Sequence, residues 1–208
     1  MSTPEPNPDD EWTKIWDARL EALASVLGKP EDTVYHAVIP FGLGGSADVV
    51  SFPNYLSGNT YVTSELTGVD IGQQPNSLGH YELMICTREP MATAADFVSR
   101  LARHTCDAVI EAGHTMDIGE FFKDSTLRAM LFTHPGEQPV VFNFNGQLYN
   151  LLLCVGITSE ELAYARSRGS NQLLQVLKEH DVFPYTTPNR PPVPLPPGGF
   201  SFRRLFGG

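Results

Sequence analysis

The chain has 208 residues, of which 41% are apolar, and a net charge of −10. That is enough to bury one substantial core without metal or disulfide staples, so a single domain is expected. The negative charge argues against binding nucleic acid through its phosphates, which takes clustered Lys and Arg, and no stretch approaches the roughly 20 apolar residues of a membrane span.

The start, "MSTPEPNPDDEWTK", has neither a basic nor an apolar run, so no export signal is expected and the chain reads as soluble and cytoplasmic. Residues 1–32 hold eight acids against Lys14, Arg19 and Lys29, whereas three arginines and no acid follow residue 188. Trp12, Ile15, Trp16, Leu20, Leu23 and Leu27 recur at three- and four-residue steps, predicting an amphipathic helix over 10–27 that packs on a core and stops at Gly28 and Pro30. Four strand candidates follow, "TVYHAVIP", "ADVVSFP", "NTYVTSEL" and "HYELMICT", with turn residues between them. A second helix is predicted over 92–112, ending at Gly113, and strands return at 127–132, 139–144 and 147–155. Thr158 with Glu161 forms a capping box, Gly169 breaks the helix that follows, and Ser170 is placed as the cap of another running to about His180. Prolines dominate 186–199, predicting an extended tail over 188–208 that follows a domain of residues 1–187. Phe200, Phe202, Leu205 and Phe206 around two arginines could dock on the domain or associate with a second copy. Strands come in blocks, so the expected class is α+β with a mixed, mainly antiparallel sheet.

Few motifs carry chemistry. "PFGLGGSADVV" looks like a phosphate loop, but a strand follows its glycines where a helix would be needed, so a turn is expected. Ser46 lacks the final glycine of a nucleophile elbow. His80 and Cys86 share a strand face but lie about 20 Å apart at 3.3 Å per residue, beyond proton-transfer reach. Cys86, Cys106 and Cys154 have no C-x-x-C spacing and read as reduced core residues. The six histidines never fall at i, i+4 on one helix, so neither metal nor cofactor is expected. Asp48, Glu65 and Glu82 each stand in an alternating strand pattern. If those strands are neighbours the three acids could converge for acid–base work or a metal; alternatively each is satisfied by backbone N–H groups, arginines or water.

The segments "FGLGGSADVVSFPN", "YVTSELTG", "HYELMICT" and "PVVFNFNGQLYNLLLCVGITSEELAYARSRGSNQLLQVLKEH" resemble, in order and spacing, the Suppressor of fused domain over roughly residues 30–190. The resemblance implies a mixed α/β binding domain without enzymatic activity, in which the glycines serve the backbone's path into a strand. In longer animal relatives this domain and a carboxy-terminal one clamp a peptide of Hedgehog-pathway transcription factors. Only about 18 residues follow position 190, so neither that second domain nor that partner is expected here. Stand-alone members resemble bacterial proteins inferred to be immunity proteins that block a toxin, and an acidic chain suits a basic one. Tyr61 and Thr63 match the aromatic-then-hydroxyl strand near the relatives' peptide groove, Glu65 follows them, and Asp48 matches an acidic position after the glycines. These four residues are the expected partner-binding set.

Overall fold

The computed structural model describes residues 8–67 and 71–196, with side chains from Trp12 onward. The elements run α1 (Pro8–Leu27), β1 (Val34–Tyr35), β2 (Val49–Phe52), β3 (Asn59–Thr63), β4 (Tyr81–Thr87), α2 (Ala92–Leu101), α3 (His104–Asp107), β5 (Thr115–Asp117), β6 (Leu127–Thr133), β7 (Val141–Phe144), β8 (Gln147–Thr158), α4 (Ser159–Arg168) and α5 (Ser170–Glu179). The strands form one sheet in the order β1-β2-β3-β4-β8-β6-β5, with β7 also pairing β8. Among the described strands β4 and β8 pair in parallel and the other strand pairs are antiparallel, which is the α+β mixed sheet expected.

The central strands are buried on both faces, and "YELMICT" and "LLLCVGIT" are accordingly near-continuous apolar runs. On one face Val50, Phe52, Val62, Met84, Leu153 and Val155 pack with Leu23 and Leu27 of α1, Leu162 of α4 and Leu173 and Leu177 of α5. On the other, Val49, Tyr61, Leu83, Ile85 and Cys154 pack with Ala95, Val98 and Leu101 of α2. Alternation along β3 and β4 sends odd-numbered residues such as Tyr61, Leu83 and Ile85 toward α2. Glu82 falls on the opposite side and is fully buried.

Several expectations need correcting. The 92–112 helix breaks after Leu101 into a separate turn, α3. Its continuation would need the Thr105 carbonyl, which instead accepts the Gln74 N–H at 2.7 Å. Only Val34 and Tyr35 of "TVYHAVIP" pair as strand, because Asp48 captures the next residues. Gly169 rather than Ser170 stands at the N-cap of α5. The short edge strand β5 was not foreseen. The α1 stripe is covered only in part: Leu23 and Leu27 are buried, whereas Trp12 is 53% and Ile15 37% exposed. The capping box of Thr158 and Glu161 forms as expected.

Residues 185–195 make a strap across the sheet end. Tyr185 bridges to Cys86, the Thr186 hydroxyl accepts the Gly156 N–H at 2.9 Å, and the Pro188 carbonyl accepts from Ser125 and Thr126. Gly156 lets the strap approach closely, since a Cβ there would displace the Leu127 side chain and the Thr186 methyl. Arg190 then enters the interior with a bidentate bond to the fully buried Glu161, at 2.6 and 2.5 Å, and Val193 joins the core. A break after residue 187 would cut through this strap. The apolar and basic end, 200–206, lies outside the described residues.

Candidate functional site

A groove of about 530 Å³ opens between the 35–46 loop and α2, lined among others by Tyr35, His36, Val38, Ile39, Asp96 and Arg100. Its loop wall is held from beneath. The Asp48 carboxylate accepts the Ala37 N–H at 2.8 Å through Oδ1 and bonds His36 Nδ1 at 2.7 Å through Oδ2. The Asp48 N–H in turn donates to Glu65 Oε2 at 2.8 Å. Burial pushes the Glu65 carboxyl above its ordinary value, further than this bond and the nearby charges of Arg19 and His36 draw it down.

The glycines complete the clamp. Phe41 is buried beneath the Arg103 guanidinium, Phe41–Leu43 form a single 3₁₀ turn, and Gly44 closes it at φ 93°. Gly45 then passes so close to Ile39 that a Cβ would fall on the Ile39 carbonyl. The loop is therefore a fixed turn into β2, as expected, yet it carries Val38, Ile39 and Leu43 at 101%, 56% and 80% exposure. The helical wall is equally fixed. The Ser99 hydroxyl donates to the Ala47 carbonyl at 2.6 Å, and Tyr61 Oη accepts the Met91 N–H at 2.7 Å where α2 begins.

These bonds redefine the four expected partner-binding residues. Tyr61 and Thr63 are buried, at 1% and 0% exposure, so their side chains present no surface to a partner. Tyr61 sets the start of α2 and meets the groove residue Tyr35 edge-on, with ring centroids 5.7 Å apart. The Thr63 hydroxyl accepts the Leu83 N–H at 2.9 Å and donates to Glu82 Oε2 at 2.5 Å. Asp48 and Glu65 brace the loop from below. The set marks the groove's scaffold, whereas its lining was missed because "HAVIP" has the alternation of a half-buried strand.

The three strand acids do not form one constellation. Asp48 and Glu65 are joined through a backbone N–H, but Glu82 is enclosed separately, its Oε1 accepting from the Leu66 N–H and the Thr67 hydroxyl at 3.0 and 2.9 Å. Burial pushes the Glu82 carboxyl up to about 8 against these donors and the charge of Arg19. Among the described residues no group of three or more His, Cys, Asp and Glu could hold a metal. Ser46 borders the groove, but the His36 ring bonds Asp48 and not Ser46, so no hydroxyl is hydrogen-bonded to a base there. Among those residues, too, no helix is long and apolar enough to cross a membrane.

The family model described as Suppressor of fused protein (SUFU) matches residues 45–191, about seven-tenths of the sequence. The chain belongs to the Suppressor of fused family. A solved structure described as the Sufu–Fu complex superposes with a TM-score of 0.62 at 13% identity, covering 79% of this chain and 84% of that one. Drosophila Suppressor of Fused gives 0.59 at 14% identity, covering 78% of this chain but 46% of that one. A Suppressor of fused homologue from Neisseria gonorrhoeae FA 1090 gives 0.59 at 19% identity, covering 89% of this chain and all of that one. These likenesses establish the fold. No curated protein matches the sequence. The family match starts at Gly45, so this Suppressor of fused domain builds most of one wall of its groove, and the whole of α1, from residues ahead of the matched region.

Proposed function

We propose that the domain is a non-catalytic protein-binding module that docks a partner on the 35–46 loop and the adjoining groove, and that its partner is a basic protein, of the toxin kind, which it sequesters. The observation that carries this reading is the rigid loop holding Val38, Ile39 and Leu43 in water. A pinned backbone with exposed apolar side chains loses little entropy on binding and gains their burial. A Suppressor of fused structure described as a Sufu–Fu complex supports protein binding as a use of the fold. The charge of −10 favours a cationic partner through steering. The enzyme reading has less behind it, because Glu82 is enclosed and the groove holds no hydroxyl paired with a base.

The test is site-specific photocrosslinking in the native cell. A benzophenone side chain at position 38 is expected to trap one protein species that the same probe at exposed Glu179, on α5, does not. Identical patterns from both positions would remove the loop as the docking surface.

A further inference from the structure

The amino-terminal half of α1 presents an apolar face that the described residues cover only in part. Trp12 and Ile15 are 53% and 37% exposed, and Trp12 stacks on Trp16 with centroids 5.6 Å apart and planes 9° from parallel. Trp16 lies 6.3 Å from the His36 ring, which borders the groove. One surface therefore runs from Trp12 through Trp16 and His36 to Val38 and Ile39. Asp17 and Glu21 are exposed on the side of α1 turned away from Trp12 and Trp16, and Glu31 and Asp32 are exposed beyond its carboxy-terminal end, just ahead of β1; Lys14 and Lys29 are exposed and Arg19 is buried.

We propose that this continuous face takes an extended polypeptide segment in which arginine or lysine alternates with large apolar residues. The proposal rests on the protein-binding reading and extends it to α1. Tryptophan is the residue type most often found as an interface anchor, and an exposed indole face attracts a cation besides offering apolar area. The net charge of −10 favours positive charge and penalises acidic segments. The same reasoning disfavours a second copy of the chain as occupant, since like faces of a molecule with charge −10 repel.

The experiment uses the full chain and two capped, fluorescein-labelled octapeptides, one alternating leucine with arginine and one alternating leucine with glutamate, read by anisotropy. The arginine peptide is expected to bind saturably and the glutamate peptide not to bind. Affinity should fall about tenfold in Trp12→Ala/Ile15→Ala, and by a similar factor as salt rises from about 50 to 300 mM. Leu148→Ala, at an exposed aliphatic on β8, should bind like the wild type. Trp12 and Trp16 are the only tryptophans in the sequence, so a change in intrinsic emission on adding unlabelled peptide places binding at this face. Equal affinity in Trp12→Ala/Ile15→Ala, binding of the glutamate peptide, or no binding at all would overturn the proposal. If Val38→Glu loses the peptide while the α1 variant keeps it, α1 is excluded and the loop reading survives. If the peptide binds and neither variant matters, both fall.

Discussion

Replacing Arg190 by Met tests whether the strap belongs to the domain. Glu161 is completely buried, and its carboxylate is held by both Arg190 Nη atoms, by the Val193 N–H at 2.9 Å and by the Thr158 N–H at 2.9 Å. Arg190→Met removes the counter-charge and strands a carboxylate that water cannot reach, a change that typically costs about 3–5 kcal/mol. It also takes away the donor to the Gly156 carbonyl at 3.0 Å. Against a total stability of roughly 5–15 kcal/mol that is a large fraction, and in a chain of this size it lowers Tm by about 10 °C. Urea unfolding followed by far-ultraviolet circular dichroism measures the loss directly. The double variant Glu161→Gln/Arg190→Met should lose less than the sum of the two singles, by about 2 kcal/mol, because removing both charges spares the burial of one alone. A loss under about 1 kcal/mol for Arg190→Met, typical of an exposed tail, would refute the reasoning. Truncation to 1–187 removes both Arg190 and Val193 and is expected to destabilise at least as much.

Three other predictions follow from single contacts. The Glu82 carboxyl is raised from 4.5 to about 8, so the folded state keeps a proton that the unfolded state has lost. Its contribution is full below about pH 4.5 and fades as pH rises toward 8, by at most ~1.4 kcal/mol per pH unit. Glu82→Gln should accordingly cost less at pH 8 than at pH 5 in urea unfolding, and parallel pH profiles for wild type and variant would contradict this. Tyr61→Phe leaves the partly buried Met91 N–H without its acceptor and should cost about 1 kcal/mol, whereas Tyr61→Ala should cost about 3–5 kcal/mol by opening the core. A calorimetric melt in which Tyr61→Ala matches wild type would return this residue to the surface. Gly45→Ala drives a methyl into the Ile39 carbonyl, so amide exchange across 36–46 should accelerate while exchange in β4 and β8 stays unchanged. Unaltered exchange in the loop would mean that Gly45 does not lock it.

What the sequence made legible followed from local rules. Strand-like runs bounded by turn residues marked β2, β3, β4 and β8, and the Thr158–Glu161 spacing marked the start of α4. The resemblance supplied the family. What stayed hidden depended on bonds between segments distant in the chain. Thr105 ends a helix because Gln74 takes its carbonyl, and "TVYHAVIP" leaves the sheet because Asp48 holds His36 and Ala37. Arg190 sits in a proline-rich segment whose composition predicts an extended tail, and only the facing Glu161 turns it into a core residue. The site was half legible: alternation put Asp48, Glu65 and Glu82 on strands, and the family resemblance pointed to Asp48, Tyr61, Thr63 and Glu65. Alternation cannot say whether such a residue lines a groove or supports it. In this fold they support it, and the exposed residues are the apolar ones that a half-buried strand would hide.

The most direct test of the central claim is titration calorimetry of the protein trapped at position 38, purified, against the wild-type domain and Val38→Glu/Ile39→Glu. Both side chains are exposed, so the variant should keep the wild-type Tm. A charge in place of each apolar anchor should weaken binding by about 30-fold or more. Unchanged affinity with an intact fold would contradict the account and place the partner elsewhere on the molecule.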